Sequence, residues 1–257
     1  DHQFAAYSIG RRDSRRFSSA AYTGRPNFMG VRATGRPSDS FNYWADIGYV
    51  SGGDEGVVRN NIKIRQDLRG YGFDVGGTYR FLNAFLQLHL TLGYAYGSGN
   101  HNLSDSTNRA FLQTGLQTNE GRFGGVTQFR TYGEFFNPEL TNIQIFTAGA
   151  GARPTAWLFT EVVYHHYRMA ESVPENGFTS AAPTAEVNKI TGRPSRELGS
   201  EVDLILGFRN LFGIRGFGTD VRAGLFFPGD AYLIENGNGR FLRNPDKGVS
   251  LIFLFFI

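Results

Sequence analysis

From Gln87 to Gly97 the chain reads QLHLTLGYAYG, and its bulky apolar residues fall at every second position. Leu88, Leu90, Leu92, Tyr94 and Tyr96 share one face of an extended strand, opposite Gln87, His89, Thr91, Gly93, Ala95 and Gly97. Side chains alternate between the faces of a strand, so this pattern specifies two environments, and a one-residue slip would exchange them all. The period of two recurs in RGYGFDVGGTYRF, with Tyr71, Phe73, Val75, Tyr79 and Phe81 opposite Gly70, Gly72, Asp74, Gly76, Thr78 and Arg80. In EVDLILGFR, Val202, Leu204, Leu206 and Phe208 oppose Glu201, Asp203, Ile205, Gly207 and Arg209. In GFGTDVRAGLF, Phe217, Val221, Ala223 and Leu225 oppose Gly218, Asp220, Arg222 and Gly224. The closing VSLIFLFFI puts Val249, Leu251, Phe253, Phe255 and Ile257 on one face. No region keeps a 3.6-residue period, and no apolar run reaches the ~20 residues of a membrane-spanning helix.

Two architectures use such strands. A soluble sandwich turns the apolar face inward, whereas a membrane barrel turns it to lipid and lines its lumen with the polar face. The apolar faces here end in aromatics, as interfacial girdles do. The polar faces carry glycine and charges of both signs, which suits a crowded lumen better than a solvated surface. Connections alternate in length. Short turns lie at GRPSDS (35–40), FLNAF (81–85), ARPTAW (152–157) and NLFGIRG (210–216). Long polar segments lie at about 11–27, 52–68, 98–140, 170–197 and 229–247. This is the signature of an outer-membrane barrel with its short turns and both ends in the periplasm. The expectation is an all-β, antiparallel transmembrane β-barrel, a single domain over residues 1–257 with long extracellular loops. About ten strands are predicted, at roughly 3–10, 28–36, 41–51, 69–81, 86–97, 142–153, 157–168, 199–209, 216–227 and 248–257.

Composition removes other classes. The absence of cysteine excludes a disulfide framework and thiolate sites. Lysine occurs only at Lys63, Lys189 and Lys247, and the net charge of +3 is too small to argue for nucleic acid. The chain begins at Asp1 rather than Met, which fits a processed or trimmed exported protein.

Seven stretches in order resemble the alginate-export porin family: YWADIGYVSGG, RGYGFDVGGTYRF, LTLGYAYGSGN, AFLQTGLQTNEGRFGGVTQFRTYGEFFNPELTNIQIFTAGAGARP, VVYHHYR, LGSEVDLILGF and AGLFFPGDAY. The resemblance covers most of the chain, from about Phe28 to the end. The resemblance implies a bacterial outer-membrane channel that passes an anionic polysaccharide through an arginine-lined lumen, amid membrane lipid and lipopolysaccharide, with periplasmic export subunits as partners. It implies no cofactor and no enzymatic activity. The best-known members are barrels of about twice this length, so the chain is read as the C-terminal part of such a barrel or as a short relative. The alternative role is a scaffolding barrel with a plugged lumen that holds a partner complex.

Alternation places Arg32, Arg36, Arg80, Arg209 and Arg222 on the lumen face, with Asp46, Asp74, Glu161, Glu201, Asp203 and Asp220. The arginine fork pairs with a uronate carboxylate, or with these acids. Arg222 is the favoured substrate-path residue, because Asp220 lies about 7 Å along the strand. The segment 98–140, with Arg109, Arg122, Arg130, Glu120 and Glu134, is too long for an ordinary loop. It is either a constriction folded into the mouth or an extracellular hairpin packed on itself. His165 and His166 fall on opposite faces and cannot share a metal. No Asn/His/Ser set is expected at one depth on an apolar face, unlike in the barrel phospholipases. GYGFDVGG lacks the following helix of a nucleotide loop, and ENGNGRF reads as a flexible turn rather than a calcium site.

Overall fold

The computed structural model describes residues 1–17, 20–59, 62–84, 86–101, 105–172, 195–235, 241–243 and 248–256. Ile257, most of the 170–197 segment and the centre of ENGNGRF lie outside the described residues. Among the described residues, ten wall strands form one antiparallel meander: β1 His2–Gly10, β2 Ala20–Ser38, β3 Phe41–Arg59, β4 Ile62–Arg80, β5 His89–Gly97, β6 Ile143–Ala152, β7 Leu158–Met169, β8 Glu197–Arg209, β9 Gly218–Pro228 and β10 Gly248–Phe256. Each strand pairs with the next in chain order. Among the described residues, β1 pairs only with β2 and β10 only with β9, so the sheet is not closed.

The expected alternation sets the two faces. Leu92 on the outer face is 61% exposed, whereas Thr91 beside it on the inner face is 1% exposed. Cross-strand register carries this facing around the wall. One row of outer-face partners runs Tyr79, Leu90, Ala150, Val162, Leu204, Ala223, Leu251 without a polar residue. Nearer the long connections, another outer row runs Gln144, Arg168, Glu197. The apolar band therefore has an edge, marked on its border by Tyr94 and Phe146. This is an all-β antiparallel wall of the outer-membrane barrel class.

Two expected loops are strand instead. The 52–68 segment extends the β3–β4 hairpin, with Gly53 opposite Asp67 and Glu55 opposite Arg65. The 11–27 segment is taken up by the longer β2 and by a short strand, Asp13–Phe17, paired against it. Backbone pairing needs no apolar face, so beyond the lipid band a hairpin can continue without the alternation that reveals a strand.

Residues 105–142 form neither an external hairpin nor a free loop: they lie across the inner face. Thr107–Asn108 runs parallel to β4, with the Asp67 N–H donating to Ser106 O at 2.7 Å. Beyond it, Phe111, Phe123, Phe129 and Tyr132 are buried against wall residues. The inward glycines make room for this. A Cβ at Gly70 would stand 2.4 Å from the Ala110 carbonyl oxygen, and one at Gly97 would stand 2.3 Å from that of Leu140. Those inner-face positions are thus landing sites for a second layer of chain, which any larger residue would displace.

Candidate functional site

The second layer is held by carboxylates that project from the wall. Glu201 on β8 accepts from the backbone N–H groups of Phe135 and, at 2.9 Å, Phe136. Asp203, two residues on, accepts from Glu134 N–H at 3.2 Å. Asp74 on β4 accepts from Tyr132 Oη at 2.9 Å and from Trp44 Nε1 at 2.7 Å. Tyr167 Oη donates to the Tyr132 carbonyl at 2.8 Å. The expected lumen acids Asp74, Glu201 and Asp203 therefore serve the inward segment, and their sequence pattern could not show it because the donors lie 58 to 69 residues away.

The arginines divide into three groups. Arg209 pairs with Asp220 at 2.6 Å, and Thr127 Oγ1 donates to the same carboxylate at 3.0 Å. Arg222 faces inward as expected but is 6% exposed. Its Nε lies 3.5 Å from Glu134 Oε1, its Nη1 lies 4.0 Å from Glu120, and Nη1 donates to Gln128 O at 3.1 Å. The carboxylate that neutralises it thus comes from the inward segment rather than from its own strand. Burial pushes the Glu134 carboxyl above its ordinary range, against the pull of the Arg130 N–H and the Arg222 and Arg130 guanidiniums. Arg130 is turned back onto its own segment, with its Nη1 donating to Glu134 O.

At the rim, Arg36 donates to Asp39 in the β2–β3 turn, Arg80 donates to Asn42 Oδ1 at 3.0 Å, and Arg109 pairs with Asp105 at 2.8 Å. Arg32 and Arg122 remain with the open space. A cavity of about 990 Å³ lies between the inner face of β1–β5 and the inward segment. Arg32, Arg36, Trp44, Asp46, Arg122 and Phe123 are among its lining residues. Arg32 is 3.6 Å from Asp46, with its own side chain largely in solvent and that of Asp46 partly so. Arg122 is exposed and makes no ion pair with another described residue. The inward segment thus packs against the inner face of β6–β9, and the cavity lies between it and β1–β5.

The histidines divide by face as expected. His165 is fully buried on the inner face, 3.3 Å from Asp203, while His166 points outward. His89 packs inside, 3.2 Å from Glu161. A different grouping lies on the outer face beyond the apolar band. Ser200 stands opposite His166 in the β7–β8 register, with Oγ 3.4 Å from Nδ1, and His166 Nε2 lies 3.3 Å from Glu197. The irregularity between Tyr167 and Arg168 brings Glu197 level with them, an offset that alternation alone does not reveal. A serine, a histidine and an acid do therefore meet at one depth on the outer face. Their surroundings do not suit acyl transfer: Tyr164 Oη holds Ser200 Oγ at 3.0 Å, Arg168 shares Glu197 at 3.2 Å, and the flanking backbone is committed to the sheet.

Three comparisons bear on this geometry. The chain is 27% identical over 236 residues to the alginate production protein AlgE of Pseudomonas aeruginosa, which covers 82% of this chain and 46% of that protein. It is 31% identical over 154 residues to AlgE of Azotobacter vinelandii, 55% of this chain and 32% of that one. The chain thus spans about half the length, or less, of the curated relatives it matches. A solved NanC porin aligns over 100% of this chain and 97% of its own, at 8% identity and a TM-score of 0.40. The family profile described as alginate export matches residues 1–241, and the chain belongs to that family.

Proposed function

We propose that this chain forms wall and constriction of a bacterial outer-membrane channel that conducts an anionic polysaccharide of the alginate type. The observation that carries the reading is the cavity beside the inward segment, where Arg122 and the exposed Arg32, itself 3.6 Å from Asp46, meet solvent while Arg209 and Arg222 are held in ion pairs. At contact distance, well inside the Debye length of ~8–10 Å, a guanidinium presents two parallel N–H donors to a passing carboxylate. Transport needs no chemical step, and the role is that of a channel, not an enzyme. Open sheet edges are not tolerated in hydrocarbon, so β1 and β10 are joined in the membrane, to each other or through further strands. The outer face meets lipid and lipopolysaccharide, and the short-turn side faces the periplasm and any export subunits.

Planar-bilayer recording of the purified protein tests this. Steady conductance, blocked by polyuronate, is expected. Arg122→Glu should lower the anion preference and the block. A silent protein would favour the plugged scaffold, and a conductance indifferent to polyuronate would remove the substrate class.

A further inference from the structure

Trp44 and Tyr7 differ from the other inner-face aromatics of the wall in being partly exposed and lining the cavity. Most wall rings stand on the outer face, and Phe111, Phe123, Phe129 and Tyr132 of the inward segment are buried. Trp44 points inward from β3, opposite Thr34 of β2, yet is only partly buried and lines the cavity. Its ring is held on several sides. The indole N–H donates to Asp74 at 2.7 Å, and the other oxygen of that carboxylate is occupied by Tyr132. The six-membered ring lies against the wall backbone: a Cβ at Gly76 would be 2.2 Å from Cζ2, and one at Gly93 would be 3.1 Å away. Phe123 stands parallel to it, with centroids 5.6 Å apart and planes within 6°. With its polar atom satisfied inside the wall, what the indole offers the cavity is carbon surface.

Both exposed guanidiniums flank this surface. Arg32 is a diagonal neighbour, since Thr34 pairs with Trp44 and Arg32 with Asp46. Arg122 adjoins Phe123 in sequence. We propose that Trp44 is a stacking platform for the pyranose rings of the transported chain, giving the passage an affinity for sugar that does not depend on its charge. The axial C–H face of a pyranose is apolar and slightly electropositive, which suits the negative face of an indole. The ring of a uronate on Trp44 would leave its carboxylate to Arg32 or Arg122. A neutral hexose would keep the stack and lose only the ion pair. The proposal rests on the channel reading and adds to it a subsite that recognises the ring itself.

The chain has two tryptophans, so Trp157→Phe leaves Trp44 as the sole indole reporter. Trp157 lies near the β6–β7 turn, stacked on Phe208 and away from the cavity. In detergent micelles, titration of this variant with a mannuronate hexamer and with a neutral glucose hexamer should each give a saturable change in indole emission. A response to neither sugar, or to the uronate alone, overturns the platform. In bilayers, Trp44→Ala should shorten the blocking dwell time of both hexamers by up to about tenfold, and Trp44→Phe by less. Arg122→Gln should shorten that of the uronate only. Equal dwell times in wild type and Trp44→Ala overturn the platform while leaving the channel intact. Saturable emission changes from a protein that never conducts would uphold the platform and sink the channel reading.

Discussion

At Arg222 the inner face settles a competition between two roles open to any lumen arginine. Asp220 is two residues away and already bound to Arg209, which by itself would leave the Arg222 field for a passing anion. Glu134 arrives from the inward segment and takes it. Removing one partner of a buried pair strands the other charge, at about 3–5 kcal/mol. Arg222→Ala should therefore lower the unfolding free energy of the reconstituted protein, read from urea titration, by an amount in that range, and adding Glu134→Gln should recover part of the loss. A single variant as stable as wild type would show that Glu134 is not held by Arg222. The same reasoning moves the selectivity expected of Arg222 to Arg122 and Arg32, whose charges water and solute can reach.

At the scale of elements, each wall strand carries two messages on alternate residues, and they are not equally legible. The outer message is apolar side chains and can be read residue by residue. Leu90 sits in a row with no polar member, between Tyr79 on β4 and Ala150 on β6. Leu90→Arg should cost about 2–4 kcal/mol if that row lies near the midplane. Heat-modifiable migration on a gel reports the loss, and unchanged heat resistance would show the facing to be wrong. The inner message is small residues and carboxylates, which say only that something comes close. Six aromatics within residues 111–136 of a segment classed as a polar loop were the complementary signal, a loop with its own apolar surface to bury. Trp44 carried no signal of its own, since one tryptophan on an inner face reads equally as packing.

The whole molecule is an antiparallel meander, so successive connections leave from opposite ends. The turns at 39–40, 81–88, 153–157 and 210–217 share one end, and the inward segment enters from the other. Protease added to intact cells should cut only within the long connections, while the FLNAF turn stays whole. Cleavage there from outside would invert the orientation. The unpaired sides of β1 and β10 belong to this scale too, because closure is a property of the complete wall and of no single strand.

Alternation by itself determined the fold class, ten strand positions and the facing of nearly every wall residue, because period two is a local property that lipid on one side enforces. It missed the far halves of β3 and β4, where backbone pairing alone carries the hairpin on. It placed Arg222, Asp74, Glu201 and Asp203 on the inner face but could not assign their partners. Those partners are groups such as Glu134, the Phe136 N–H and Tyr132 Oη, each more than fifty residues distant in the chain. Which arginines stay exposed and which acids become fasteners was decided only when the 105–142 segment folded across the glycine-floored wall, since an ion pair depends on distances of a few ångströms that no spacing in sequence encodes.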